Sequence, residues 1–183
     1  MGRPREFNDD DVLNALRDVF WEHGYEGTSY ADIMAATDLK KGSLYAAFGD
    51  KRSLYLEAIK QYDKGSVSDG VALLRNEELT GAERIAALMQ SLVDAAETKR
   101  GRWGCLLCNA AIDQAPIDKA TEDIVRASMD RIKDGIKIAL MDTNAPNKTD
   151  LIWTTYFGGR VIIKSGASKK NLQAIKDQVL SLL

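Results

Sequence analysis

Two clusters in this 183-residue chain have residue types at spacings that do chemistry. The first is Cys105-Leu106-Leu107-Cys108, which holds both cysteines of the chain. A C-x-x-C pair at a helix end can act as a redox couple or supply half of a metal site. A metal would need further ligands, yet the one histidine, His23, lies far off in sequence and no second C-x-x-C exists. No metal or other cofactor is therefore expected. The apolar neighbours make buried, inert thiols the plainer reading. The alternative is a thiol-based redox or electrophile sensor, or an oxidoreductase, because Arg100 and Arg102 are near enough in sequence to lower a thiol pKa.

The second cluster is Lys40, Lys41, Gly42, Ser43, Tyr45 and Lys51. Its cations suit phosphates, its glycine allows close backbone approach, and its hydroxyls suit phosphate or base edges. That set fits a nucleic acid better than a reacting substrate. Catalysis has no candidates, with one histidine, no nucleophile elbow and no phosphate-cradling glycine loop, so no enzyme is expected.

Net charge does not decide the matter. Lys and Arg number 25 against 27 Asp and Glu, a formal charge of −2. Residues 1–64 hold nine basic and twelve acidic side chains and sum to −3. A DNA-binding reading thus requires positive charge concentrated on one surface. Arg3 and Arg5 stand at the N-terminus, and Lys40, Lys41, Lys51 and Arg52 fall within thirteen residues. Asp9, Asp10 and Asp11 sit instead where a helix would start, which the helix dipole favours.

The elements that must position these residues read as helices throughout. Asn8 suits an N-cap, followed by Val12, Leu13, Leu16, Val19 and Phe20 on one face and Gly24 at the end. A second helix is expected from Thr28 to about Asp38, with Tyr30, Ile33 and Met34 buried. A third spans Gly42–Phe48, and Asp50 caps a fourth with Leu54, Tyr55, Ala58, Ile59 and Tyr62 inward. One helix, a tight turn and a second short helix describe a helix-turn-helix unit, whose second helix would enter the major groove. Gly65 and Gly70 are expected to break the helix that follows. Thr80 and Glu83 form a capping box before Ile85, Leu88, Met89, Leu92 and Val93. A short helix over Cys105–Ala115 and a long one opened by Pro116 come next. Two closing helices, over Thr149–Ser165 and Ser168–Leu183, complete about nine. The fold class is all-α, a helical bundle. No apolar run is long enough to span a bilayer and no apolar segment follows the N-terminal arginines, so a cytoplasmic protein with no membrane partner is expected.

The stretch HGYEGTSYADIMAATDLKKGSLYAAFGDKRSLYLEAI resembles the N-terminal signature of TetR-family regulators. Gly24, Tyr25 and Thr28 match its lead-in, and Lys41, Gly42, Ser43, Leu44, Tyr45, Phe48 and Lys51 match the rest, over roughly residues 8–62. The resemblance implies phosphate contacts from Thr28, Tyr45 and Lys51, and base-side contacts from Lys41, Gly42, Ser43, Leu44 and Ala46. Arg3 and Arg5 would form a minor-groove arm. Four positions depart from the pattern. Asp38 replaces a common turn glycine, Lys40 replaces a Ser or Thr N-cap, and Ala46 and Ala47 replace aromatic or histidine residues.

The resemblance further implies a DNA-binding domain over residues 1–52 and a ligand-binding and dimerisation domain over 53–183. It implies a one-component repressor on a pseudo-palindromic duplex operator. A DNA-binding protein with no small-molecule input is the third reading. In the body, Met89, Leu92, Trp103, Leu107, Cys108, Trp153 and Tyr156 are expected to line a cavity for a small apolar or aromatic ligand. Leu172, Ile175, Val179 and Leu182 form a heptad-like seam. Leu151, Ile152, Thr155, Gly159 and Ile162 form a second stripe, and together the two are expected to make a homodimer contact.

Overall fold

The computed structural model describes residues 9–183, so the expected cap Asn8 and arm residues Arg3 and Arg5 lie outside it. Among the described residues every regular element is a helix, as the spacing predicted. The first, α1 (Asp9–Gly27), buries Val12, Leu16, Val19, Phe20 and Trp21 on one side. It kinks at Gly24, whose φ of 75° is open to glycine at no steric cost. α2 (Tyr30–Thr37) starts two residues later than the expected start at Thr28, with Ser29 as its N-cap. The Ser29 hydroxyl accepts the Asp32 N–H at 3.2 Å, and the Asp32 carboxylate accepts the Ser29 N–H at 2.8 Å. The helix stops at Asp38, in the left-handed conformation with φ 54° that an aspartate tolerates better than most side chains.

α3 (Lys41–Phe48) and α4 (Lys51–Tyr62) follow, the latter capped by the Asp50 carboxylate on the Ser53 N–H at 2.8 Å. Leu16, Phe20, Ile33, Leu44, Leu54 and Ile59 are fully buried and form the apolar centre of the head. Each such side chain is stabilised by about 1.5–3 kcal/mol on leaving water. The expected break near Gly65 and Gly70 does not occur. A single π-helical turn (Asp63–Val67) absorbs the irregularity and runs on into α5 (Ser68–Leu74), so helical backbone continues from α4 into α5.

The body continues with α6 (Gly81–Ala95), opened by the predicted Thr80–Glu83 capping box. A short 3₁₀ turn (Gly101–Trp103) leads to α7 (Leu106–Asp113), whose N-cap is Cys105. α8 (Lys119–Leu140) begins at Asp118, which caps the Thr121 N–H, and not at Pro116. It lies centrally, packed against α4, α5, α6, α7 and α9 (Thr149–Lys164), while α10 (Lys169–Leu180) lies along α6.

Head and body share α4 and meet on an aromatic hinge. Trp21 of α1 packs edge-on against Tyr62 of α4 at 4.9 Å and against Trp103 at 5.6 Å. Around it, Asp18 pairs with Arg100, Glu22 with Lys99 at 3.2 Å, and Arg52 with Asp118 at 2.6 Å.

The two expected dimer stripes do not keep the register read from the sequence. Ile152 and Gly159 of α9 and Leu172 and Val179 of α10 are buried inside this chain's own core. A Cβ on Gly159 would stand 2.6 Å from Leu92 Cδ1. The outward stripe of α9 is Leu151, Thr154, Gly158 and Val161, flanked by Thr155 and Ile162. Leu151 and Val161 are 48% and 44% exposed, and Leu182 near the C-terminus 41%. Ile175 is half-buried against the core.

Candidate nucleic-acid interface and effector cleft

α2 and α3 hold the expected DNA-facing residues on one outer surface. Lys40, Lys41, Gly42, Ser43, Tyr45 and Ala46 are exposed. Nothing in the protein lies within 4 Å of a Cβ placed on Gly42, so this point is open to close approach. Lys40 makes no side-chain cap, leaving the first N–H groups of α3 uncovered by it. Such groups favour phosphate.

Two aromatic posts hold the cations in place. Tyr30 of α2 stacks on Tyr45 of α3, with centroids 5.7 Å apart and planes 18° apart. The Lys41 ammonium sits 4.5 Å from the centre of the Tyr30 ring and 5.9 Å from that of Tyr45. Burial, and then the hydrogen bond to Tyr45, push the Tyr30 hydroxyl up to about 12, so it remains a neutral group at physiological pH. The Lys51 ammonium lies 4.6 Å over the Tyr25 ring, which packs edge-on against Tyr55 at 5.1 Å. A cation held over an aromatic face keeps its charge free for phosphate, which one locked to a carboxylate does not. Arg52 is of the second kind, since it is tied to Asp118. The sequence reading put Tyr30 on the buried side of α2. Its half-buried position under Lys41 shows that it also builds the outer face.

Two residues that the resemblance assigned to DNA point elsewhere. Leu44 is fully buried in the head core and cannot reach a base edge. Thr28 is 1% exposed, and its hydroxyl donates to the Gly24 carbonyl at 2.6 Å, fastening the kink of α1.

In the body, a cleft of about 420 Å³ opens between α7 and α9 and reaches the end of α1. Cys105, Cys108, Asn109, Ile112 and Asp113 form one wall, Arg160, Val161 and Lys164 the other, and His23 and Gly24 close it against the head. Of the residues expected to line a cavity, Cys108 lies here. Leu107 and Tyr156 border a void of about 20 Å³ that also touches Cys105 and Arg160. Met89 and Leu92 are core residues, and Trp103 serves the hinge. The Trp153 indole donates to the Met129 carbonyl at 3.2 Å.

Arg160 is the residue that sequence reasoning missed. Its guanidinium donates to the Tyr156 hydroxyl at 2.8 and 3.2 Å and to the Ser91 hydroxyl at 3.3 Å. Its signal was a lone charge inside the otherwise uncharged run Thr154–Ile163 of α9. Beside it, the Tyr62 hydroxyl lies 3.6 Å from the Cys105 sulfur. The Cys105 thiol is drawn down to about 6, first by a hydrogen bond from the Cys108 thiol and then by Arg160, the Cys108 N–H and Tyr62, against the opposing effect of burial. Cys108 is driven the other way by its bond to Cys105 and by burial.

Two short helices around a tight turn, braced by α1 and α4 and presenting cations and hydroxyls outward, define a helix-turn-helix DNA-binding head on a helical body. A family model described as "Bacterial regulatory proteins, tetR family" matches residues 12–58. An uncharacterized HTH-type transcriptional regulator of Bacillus subtilis, YezE, is 31% identical over the whole of both chains. The HTH-type transcriptional repressor ComR of Escherichia coli is 31% identical over 63% of this chain and 55% of its own. Among solved structures, the TetR-family regulator CifR bound to a 26-bp operator superposes with a TM-score of 0.81, at 28% identity over 98% of each chain. The chain belongs to the TetR family of transcriptional regulators. Among the described residues no helix is long and apolar enough to cross a membrane.

Proposed function

We propose that the protein is a ligand-responsive repressor that binds a pseudo-palindromic operator as a dimer. The observation that carries this is the outward stack of Lys41, Tyr30 and Tyr45, with Lys51 on its own post. It forms a rigid, positively charged surface on a chain whose net charge is negative. The repressor sign follows relatives named as repressors, ComR and BdcR among them. Lys41, Ser43 and Ala46 would face base edges, and Tyr45 and Lys51 phosphates.

The outward stripe of α9 supports the dimer. Leu151, Val161 and Ile162 offer apolar surface, and Gly158, with open space where a Cβ would stand, lets a second helix approach closely. Two copies joined there would set two α3 helices about 34–36 Å apart, one turn of duplex.

The cleft between α7 and α9 is the effector site in this reading. Ile112 and Val161 suit the apolar or aromatic body of a ligand, while Arg160 and Asn109 supply polar handles. Because His23 and Gly24 form its far wall, an occupant bears directly on the kink of α1, the helix that carries the head. A ligand preferring the splayed heads releases DNA, by no more than its differential affinity for the two states. The test is Tyr45→Ala in an anisotropy titration on a selected duplex. Binding should weaken about tenfold or more, by loss of a contact to a charged group in each protomer, with the helical circular dichroism unchanged. Unaltered affinity would remove α3 as the reading helix.

A further inference from the structure

We infer that Cys105 is a modification site for hydroperoxides and that Cys108 is its resolving thiol, the two closing a disulfide across the first turn of α7. The inference rests on the regulator reading above and makes an oxidant a signal read at the same cleft.

Position comes first. Cys105 is the N-cap of α7, with extended φ and ψ of −116° and 126°, and Cys108 is its third helical residue. Elsewhere in this chain the same spacing of three joins Ser29 to Asp32 and Thr80 to Glu83, each pair in direct hydrogen-bond contact. Here two thiols occupy the two places, with no side-chain cap bond between them, and the Cys108 S–H is directed at the Phe157 carbonyl, 4.0 Å away. Side chains three apart at a helix start have Cβ atoms about 5–6 Å from each other. A disulfide needs about 3.8 Å. Closing the bond therefore tightens the turn by roughly 1–2 Å without unwinding the helix.

Charge comes second. Arg160 spends its hydrogen bonds on the hydroxyls of Tyr156 and Ser91 and not on a carboxylate. The guanidinium is half-buried and lines the cleft, where it favours an anion on the facing wall. The Cys105 sulfur lines the same cleft as Arg160, and its thiol is drawn toward the thiolate by Cys108 and then by Arg160, while the Cys108 thiol is displaced upward. One thiol is thus the nucleophile and its neighbour the proton-bearing partner. No group of three or more His, Cys, Asp or Glu placed to hold a metal occurs among the described residues.

Access comes third. The two cysteines are only 4% and 6% exposed, which would normally protect them. Both nevertheless line the cleft of about 420 Å³, whose rim residues Ile112 and Val161 are exposed. The cleft is large enough for a small peroxide to enter.

The chemistry balances in two steps. The Cys105 thiolate attacks the terminal oxygen of a hydroperoxide ROOH; an S–O bond forms, the O–O bond breaks, and RO⁻ takes up the proton that Cys105 had released, leaving as ROH. Cys105 is then a sulfenic acid, oxidised by two electrons, and the peroxide is reduced by two. Cys108 loses its proton and attacks the Cys105 sulfur; the S–S bond forms, the S–O bond breaks, and hydroxide leaves with that proton as water. The disulfide removes the negative charge facing Arg160 and tightens the α7 wall of a cleft whose other end is the kink of α1. Operator affinity should fall about tenfold, within the usual range of coupling between two sites.

The experiment treats reduced, full-length protein with hydrogen peroxide, with glutathione as the reference thiol. Expected results are loss of two hydrogen masses, a Cys105–Cys108 peptide on non-reducing digestion, a fall in operator affinity, and recovery with dithiothreitol. Cys108→Ser should trap Cys105 as a sulfenic acid that dimedone labels, and Arg160→Met should slow oxidation about tenfold by removing the facing cation. Oxidation no faster than that of glutathione, a disulfide between two chains, dimedone on Cys108 in preference to Cys105, or a closed disulfide with unchanged operator affinity would each overturn the inference. The mass measurements need no DNA. A reduced protein that binds no duplex selectively would instead sink the regulator reading.

Discussion

Replacing Lys51 with methionine removes one positive charge from the DNA face while leaving a stem of similar length on the Tyr25 ring. The wild-type ammonium lies 4.6 Å from that ring. Loss of a cation–π contact at such an outer position costs about 0.5–1 kcal/mol. A thioether against the ring restores about 0.3–1.5 kcal/mol, so the melting temperature should barely move. DNA binding should change in a distinctive way. Each phosphate contact contributes about 0.9 to the slope of log K against log salt, so a dimer lacking both Lys51 contacts should show a slope shallower by about 1.8. Between roughly 50 and 200 mM salt, the wild-type advantage should therefore shrink about tenfold. Anisotropy titrations of both proteins on one duplex across that range measure the slope directly. Parallel lines would refute the reasoning, because they would mean that Lys51 displaces no counterion, however much the affinity itself changed.

Leu44→Ala should act as a core deletion and not as a change of DNA specificity. With the side chain fully buried, thermal unfolding should show a loss of about 2–5 kcal/mol, and an unshifted melting curve with altered base preference would contradict the burial. Leu151→Glu combined with Val161→Glu should convert a dimer to a folded monomer, measured by light scattering, since both residues are exposed on one chain; Val179→Glu, with its side chain in the core, should unfold the protein instead. The alkylation rate of Cys105 by iodoacetamide should rise as pH passes through about 6 and level off above it, as the thiolate forms. Cys108 should stay unreactive under the same conditions, because its pKa is displaced upward, and a single midpoint near that of a free thiol for both would contradict the coupling of the two thiols.

The head was legible because its helices are short and each end carries a residue with one local job. Asp50 and the Asp38 turn stand where the spacing put them, and the cap at Ser29 was missed by one position because Thr28 is an equally good capping type. What decides between the two is tertiary, since the Thr28 hydroxyl is already bound to the Gly24 carbonyl. The body was less legible for a related reason. α9 carries apolar residues on two faces, Ile152, Tyr156 and Ile163 inward and Leu151, Val161 and Ile162 toward the outside, and period alone does not say which face meets the chain's own α6 and α8. The large aromatics were read as cavity lining, yet Trp103 fills the hinge with Trp21, and the open space lies beside an arginine and two small thiols.

The central claim, that this chain reads duplex DNA as a symmetric dimer through α3, is tested most directly by selecting from a random duplex library and sequencing what the protein retains. The account predicts two inverted half-sites with centres about 10 base pairs apart, and loss of the enrichment with Tyr45→Ala. Recovery of no shared inverted motif, or of the same motif with Tyr45→Ala as with the wild type, would contradict it.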